Sequence, residues 1–143
     1  MRIGDVLRAK PSLDVVTIGP EAGVRELIAQ LAEHNVGALI VSSDGTTVEG
    51  IVSERDVVRH LHHDGTVINN TVAAIMTAVV ETCDEDTHVD ELMKVMTERR
   101  VRHVPVVHEG RLVGIISIGD VVKHHIDQLQ FERDQLDEYV HRS

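Results

Sequence analysis

Apolar residues recur along this chain with two periods, and each period occurs twice. Between Gly23 and His34, Val24, Leu27, Ile28 and Leu31 fall at i, i+3, i+4 and i+7, the spacing of one helix face. Val89, Leu92, Met93 and Met96 repeat that face. Each face is followed by a nearly uncharged run, Ala38–Val41 and then His103–Val107, as expected of a buried strand. Glycine-bearing turns, Ser43-Asp44-Gly45 and His108-Glu109-Gly110, lead into further strands over Val48–Val52 and Leu112–Ile116. A short strand over Asp14–Ile18 precedes the first helix. Second helices are expected from Ser53 and Ser117, whose hydroxyls can cap exposed amides. Thr87 and Asp90 have the spacing of a capping box at the start of the Val89 helix.

Two shorter apolar segments, Ile3–Leu7 and Val72–Met76, predict helices that bridge one unit to the other. The stretch His62–Asn70, with Asp64-Gly65 and Asn69-Asn70, reads as the connection between units. From Val122 onward, Ile126, Leu129, Leu136 and Val140 form a stripe with a spacing near seven, interrupted at Arg133. That pattern predicts one long terminal helix, packed on its own domain or on a partner subunit.

The duplication is also literal. Residues 50–60, GIVSERDVVRH, and residues 114–124, GIISIGDVVKH, are identical at seven of eleven positions. Upstream, Thr17, Val24, Leu27, Val36, Val41 and Gly45 match Thr82, Val89, Leu92, Val101, Val106 and Gly110 at an offset of 65. After that turn the offset is 64, so the second hairpin is one residue shorter. A repeat of this size sets the architecture: two copies can face each other about a pseudo-twofold axis, with a crevice between them that offers two similar sites.

Composition narrows the chemistry. The 143 residues suffice for one compact domain or two half-domains sharing a core. Phe131 and Tyr139 are the only Phe and Tyr and there is no Trp, so the repeats are aliphatic inside and a flat ligand would lie between aliphatic side chains and backbone. A formal charge of −10 disfavours nucleic acid or an anionic membrane as a partner. A local Arg/His pocket can still hold a small anion, because distant charge is screened over about 8–10 Å. Cys83 is the single cysteine; no intrachain disulfide can form, and a cytoplasmic location is expected. The start of the chain lacks a signal-peptide core, and no apolar run reaches the length of a membrane span.

The recurrent element is Gly-hydrophobic-x-Ser-x-x-Asp: Gly50 to Asp56, and Gly114 to Asp120. Glycine permits close backbone approach, and the apolar residues form a wall. Serine stands where strand becomes helix and free N–H groups favour an anion. A carboxylate one turn later can accept two hydrogen bonds from a vicinal diol such as ribose. Together these suit a nucleoside phosphate. The same residues also have a purely structural use, with Ser53 and Ser117 as caps and Asp56 and Asp120 complementing the helix dipole.

The two motifs, the preceding Gly37–Val41 and Arg102–Val107 segments, and the spacing near 65 resemble a tandem pair of cystathionine-β-synthase (CBS) domains, a Bateman module. The resemblance covers roughly residues 3–126. It implies an α/β fold of two β-α-β-β-α repeats about a pseudo-twofold axis, with a long C-terminal helix added. The expected division is 1–63 for the first repeat with its N-terminal helix, 64–70 for a linker, 71–126 for the second repeat and 127–143 for the helical extension. The implied activity is regulatory and non-catalytic: binding of an adenosine nucleotide, AMP first, with ADP, ATP, NAD(H) or S-adenosylmethionine as alternatives. No cofactor is required beyond that regulatory ligand. A homodimer and a separate regulated protein are the implied partners.

By the same resemblance, Asp56 and Asp120 take ribose hydroxyls, and Ser53 and Ser117 bind near phosphate or ribose. Thr17 and Thr82, with strand backbone around Ile40 and Val104, line the adenine pocket. Arg102 and His103, just before Pro105, stand where basic residues meet phosphate. For Arg102 a surface salt bridge is an equal alternative. Arg55 occurs only in the first copy, opposite Gly119, and Arg102 only in the second, opposite Gly37. The copies are therefore unequal, but the sequence does not say which cleft is the stronger. Rival readings are a scaffold with vestigial clefts, or a metal-dependent enzyme using His60, His62, His63, His124 and His125. Zinc needs three or four converging ligands, and no spacing supports a catalytic triad. No catalytic or metal residue is therefore assigned.

Overall fold

A computed structural model describes residues 1–11 and 15–142. The first repeat contains β1 (Thr17–Ile18), α2 (Val24–His34), β2 (Ala38–Val41), β3 (Gly50–Ser53) and α3 (Glu54–His63), preceded in the chain by a short helix α1 (Ile3–Arg8). A 3-10 turn over Gly65–Asn69 and the short helix α4 (Val72–Ile75) lead to α5 (Val89–Arg99), β4 (His103–His108), β5 (Arg111–Ser117) and the long α6 (Ile118–His141). Strand β1 lies parallel to β2, and β2 is antiparallel to β3 with Ala38 opposite Ser53 and Val41 opposite Gly50. In the second copy β4 and β5 pair antiparallel, His103 opposite Ser117 and Val106 opposite Gly114. Cys83 forms a parallel bridge to Val106 where β1 stands in the first copy. Of the expected strand over Asp14–Ile18, Asp14 lies outside the described residues and regular pairing begins at Thr17.

The turns follow from their residues. Glu109 and Gly110 both have positive φ, 51° and 79°, which gives the second hairpin the tight two-residue turn that suits strand twist. The first turn is longer, and the Asp44 carboxylate organises it by accepting from the amides of Thr46 and Thr47. The expected Thr87–Asp90 capping box does not form. His88 occupies the N-cap of α5 without a side-chain cap. Thr87 Oγ1 instead accepts from the Asp84 amide at 3.2 Å, so its hydroxyl closes the preceding turn.

The core has two parts, and the short helices are exchanged between them. Ile18, Leu27, Leu39, Val41 and Val52 pack with Val72 and Ile75 of α4. Leu92, Met96, Val104, Val106 and Ile116 pack with Ile3, Val6 and Leu7 of α1. The helix preceding each repeat in sequence thus completes the core of the other. At roughly 1.5–3 kcal/mol per buried aliphatic side chain, this reciprocal burial ties the halves together. Val67 of the 3-10 turn is also buried in the first part. The exchange explains the motif glycines: a Cβ on Gly50 would lie 2.9 Å from Thr77 O, and one on Gly114 would lie 2.6 Å from Leu7 Cδ2.

The 24 residues of α6 span about 36 Å at 1.5 Å per residue. Much of its stripe is open to solvent: Ile126, Leu129 and Leu136 are 48–64% exposed.

Candidate functional site

The motif serines end β3 and β5 and begin α3 and α6. Ser53 Oγ accepts from the Asp56 amide at 3.3 Å, and Asp56 Oδ2 accepts from Ser53 N at 2.8 Å. In the second copy Ser117 Oγ accepts from the Asp120 amide at 3.1 Å, and Asp120 Oδ2 accepts from Ser117 N at 2.9 Å. Both Ser-x-x-Asp elements are therefore complete capping boxes, and folding alone gives their spacing a use. Each box engages only Oδ2. Among the described residues no hydrogen bond engages Oδ1 of either aspartate, so half of each carboxylate is left for another partner.

The two aspartates are not equivalent. Lys10 Nζ lies 3.0 Å from Asp120 Oδ2 and donates to Ile115 O at 2.9 Å. Both side chains of this pair are about three-quarters buried. Burial pushes the Asp120 carboxyl upward, but the Ser117 amide and Lys10 outweigh it and hold the group below its ordinary 3.8. Leu7 packs on Gly114 as Met76 packs on Gly50, so position 10 corresponds to position 79. That residue is Val79, which cannot pair with Asp56.

Beside Asp56 a cleft of about 350 Å³ opens between the repeats. Its floor is Gly37, Ala38 and Ile51. One rim is the first turns of α3, with Ser53, Arg55, Asp56 and Arg59; the segment Thr77–Glu81 closes a side. The facing rim is Arg99–His103 of the second copy. Each repeat extends its own strand pair here by a matching backbone bond: Glu54 N donates to Gly37 O in the first copy, and Ile118 N donates to Arg102 O in the second. His103 is half-buried between them. Burial lowers its pKa from 6.5, with Arg102 and Lys10 acting the same way while Asp120 and Glu54 oppose.

Five of the expected residues thus meet in one cleft: Ser53, Arg55, Asp56, Arg102 and His103. Ser117 and Asp120 lie on the symmetry-related side with Lys10. Thr17 is half-buried in β1 and Thr82 is exposed, one residue before Cys83. Ile40 and Val104 are fully buried, and Pro105 is buried with its carbonyl accepting from Cys83 N at 3.0 Å. The side chains of Ile40, Val104 and Pro105 are therefore covered, and the expected adenine contact at Ile40 and Val104 is one of strand backbone. Sequence reasoning missed Arg59, Arg99, Arg100 and Lys10. Aligning charge across the repeat would have found the first three, but nothing local signals the reach of Lys10.

A second hollow of about 550 Å³ lies on α2 and α3, lined by Ile28, Leu31, Val36, Val57 and Val58. It is mostly apolar. Among the described residues no group of three or more His, Cys, Asp or Glu side chains is placed to hold a metal ion, and no helix is long and apolar enough to cross a membrane.

Two facing α/β repeats, each ending a strand in Gly-hydrophobic-x-Ser-x-x-Asp, define a tandem-repeat module. The family model "CBS domain" matches residues 3–63 and again 72–127, and the chain belongs to the CBS-domain family. It is 34% identical over 122 residues to the mitochondrial CBS domain-containing protein CBSX3 of Arabidopsis thaliana, covering 82% of this chain and 59% of that protein; the chain thus spans about three fifths of that relative's length. A solved CBS-domain containing protein from Agrobacterium tumefaciens is 42% identical with a TM-score of 0.83, over 87% of this chain and 99% of that one. The CBS domain pair of protein MJ0100, solved with 5-methylthioadenosine and S-adenosyl-L-methionine, is 26% identical with a TM-score of 0.77, over 87% and 99% of the two chains.

Proposed function

We propose that this protein is a non-catalytic sensor that binds an adenosine-containing nucleotide between its CBS repeats. The observation that carries the reading is the cleft at Asp56, where a carboxylate with a spare oxygen faces a basic rim from the other repeat. Asp56 Oδ1 would accept from ribose hydroxyls, Ile51 and Ala38 would supply the apolar wall, and the arginines would meet phosphate. The adenosine ligands solved with the pair of MJ0100 support the ligand class. Binding would act by linkage, stabilising the arrangement of repeats that the ligand fits. A regulated partner would read that arrangement.

A homodimer fits the same reading, because α2, α3 and α6 leave Ile28, Val58 and Val122 exposed at 40–65%, a surface that a second copy would cover. The scaffold reading has one observation in its favour: the capping boxes explain Ser53, Asp56, Ser117 and Asp120 without any ligand.

Calorimetric titration of the full chain with AMP, ADP, ATP, NADH, S-adenosylmethionine and 5-methylthioadenosine separates the two. The sensor reading expects saturable binding of at least one adenosine compound, recovered unchanged afterwards. No heat and no shift in Tm with any of them would leave the scaffold. 5-Methylthioadenosine, which carries no phosphate, tests the ribose and adenine contacts by themselves.

A further inference from the structure

The cleft at Asp56 gathers positive side chains from both repeats, set against the carboxylates of Glu54, Asp56 and Glu81 in the same lining. Five arginines line it: Arg55 and Arg59 from α3, and Arg99, Arg100 and Arg102 from the end of α5 and the approach to β4. Arg99 is paired with Glu81 at 2.5 Å. Among the described residues, Arg55, Arg59, Arg100 and Arg102 have no ion-pair partner. Four unpaired arginines around a single hollow stand out in a chain whose formal charge is −10, where carboxylates are plentiful.

The duplication supplies an internal control. The positions equivalent to these five arginines are Gly119, Lys123, His34, Asn35 and Gly37. Only Lys123 keeps a permanent charge, and the carboxylate on that side, Asp120, is already engaged by Lys10. The arginines are therefore confined to one of two matching clefts, although they come from both halves of the sequence.

Arg100 adds a second, independent observation. It ends α5 with φ of 55°, in the left-handed region, as Asn35 ends α2 with φ of 52°. Glycine or asparagine adopts that conformation readily, whereas other side chains meet their own backbone there. A long cation held at such a position, exposed and lining the cleft, suits a role for its guanidinium better than a role in helix termination.

We propose that the cleft at Asp56 is a polyphosphate site: it takes a nucleoside bearing two or more phosphates in preference to a monophosphate or an uncharged or sulfonium adenosine compound, and its counterpart at Asp120 does not. The inference rests on the adenosine reading above. Planar guanidinium groups bind phosphate oxygens in pairs, and a chain of phosphates can engage arginines on both rims, bridging the repeats. Its 350 Å³ is within the usual range for small-ligand sites.

Calorimetry of the full chain with AMP, ADP, ATP and inorganic tripolyphosphate, at two salt concentrations, tests it. The expected result is one strong site per chain. Affinity rises by about tenfold or more from AMP to ATP, the effect of one added charge-assisted hydrogen bond, and that advantage shrinks as salt rises. Arg100→Gly is expected to raise Tm by relieving the positive φ while lowering ATP affinity several-fold; a merely structural arginine would move only Tm. AMP and ATP binding equally well, or two equal ATP sites, would overturn the proposal and leave the adenosine reading intact. Tripolyphosphate binding with no nucleotide preferred over it would keep the anion site and overturn the nucleoside reading. Absence of binding by all four would overturn the polyphosphate proposal, and the adenosine reading would fall with it only if NADH, S-adenosylmethionine and 5-methylthioadenosine also gave no heat.

Discussion

Replacing Gly50 by alanine tests the exchanged packing that forms the cleft wall. An added Cβ would sit 2.8 Å from Met76 Sδ and 2.9 Å from Thr77 O. Thr77 cannot retreat freely, because its carbonyl accepts from Ile51 N at 3.0 Å and its amide donates to Ile51 O at 2.9 Å. Overpacking of this kind costs about 1–3 kcal/mol. Gly50 lies outside the positive-φ glycines, so alanine recovers roughly 0.4–1 kcal/mol of chain entropy. The net loss is about 0–2.6 kcal/mol, with a mid-range value near 1.3 kcal/mol, read as a lower urea midpoint at unchanged slope. Because Thr77 lines the cleft, ligand affinity should fall as well. Gly114→Ala presses on Leu7 in the other core and should cost stability while sparing the Asp56 cleft. Gly65→Ala meets nothing within 4 Å and should be neutral or slightly stabilising. If Gly50→Ala behaved like Gly65→Ala, the close approach of the exchanged segment would be wrong.

Asp56→Ala and Asp120→Ala each remove a capping box, at about 1 kcal/mol. Asp120→Ala also strands the partly buried Lys10, so it should have the lower urea midpoint of the two. Asp56→Ala should have the larger effect on nucleotide affinity, roughly 1.5–3 kcal/mol. Stability should also depend on pH through His103. Its folded pKa lies below 6.5, so its contribution is complete above about pH 6.5 and is lost as pH falls toward the folded value. His103→Gln should flatten the urea midpoint between pH 7.5 and 5.5 relative to the parent chain. The Cys83 thiol, pushed up to about 12 by burial and then by Asp84, should react with a thiol reagent at pH 8 only as fast as the protein opens, and quickly in urea.

What the sequence made legible was whatever repeats. The strand Ala38–Val41 and the α2 face at Val24, Leu27 and Leu31 follow from local periodicity, and their second copies support them. The serine caps were equally readable, because strand end, hydroxyl and carboxylate all lie within four residues. Partnership at a distance was not. The apolar pattern of Ile3–Leu7 says that α1 is buried, but not that it is buried in the other repeat. Arg55 and Arg102 are far apart in the chain, so their convergence depends on how the copies face each other. Thr87 was misread because a turn hydroxyl and a cap hydroxyl share the same local spacing.

Hydrogen exchange of the full chain with and without saturating ATP measures most directly whether an adenosine nucleotide bridges the two repeats beside Asp56. Added protection is expected together in residues 53–59 and 99–103, the two rims of that cleft. Protection of neither rim, or changes confined to regions remote from both, would contradict the account.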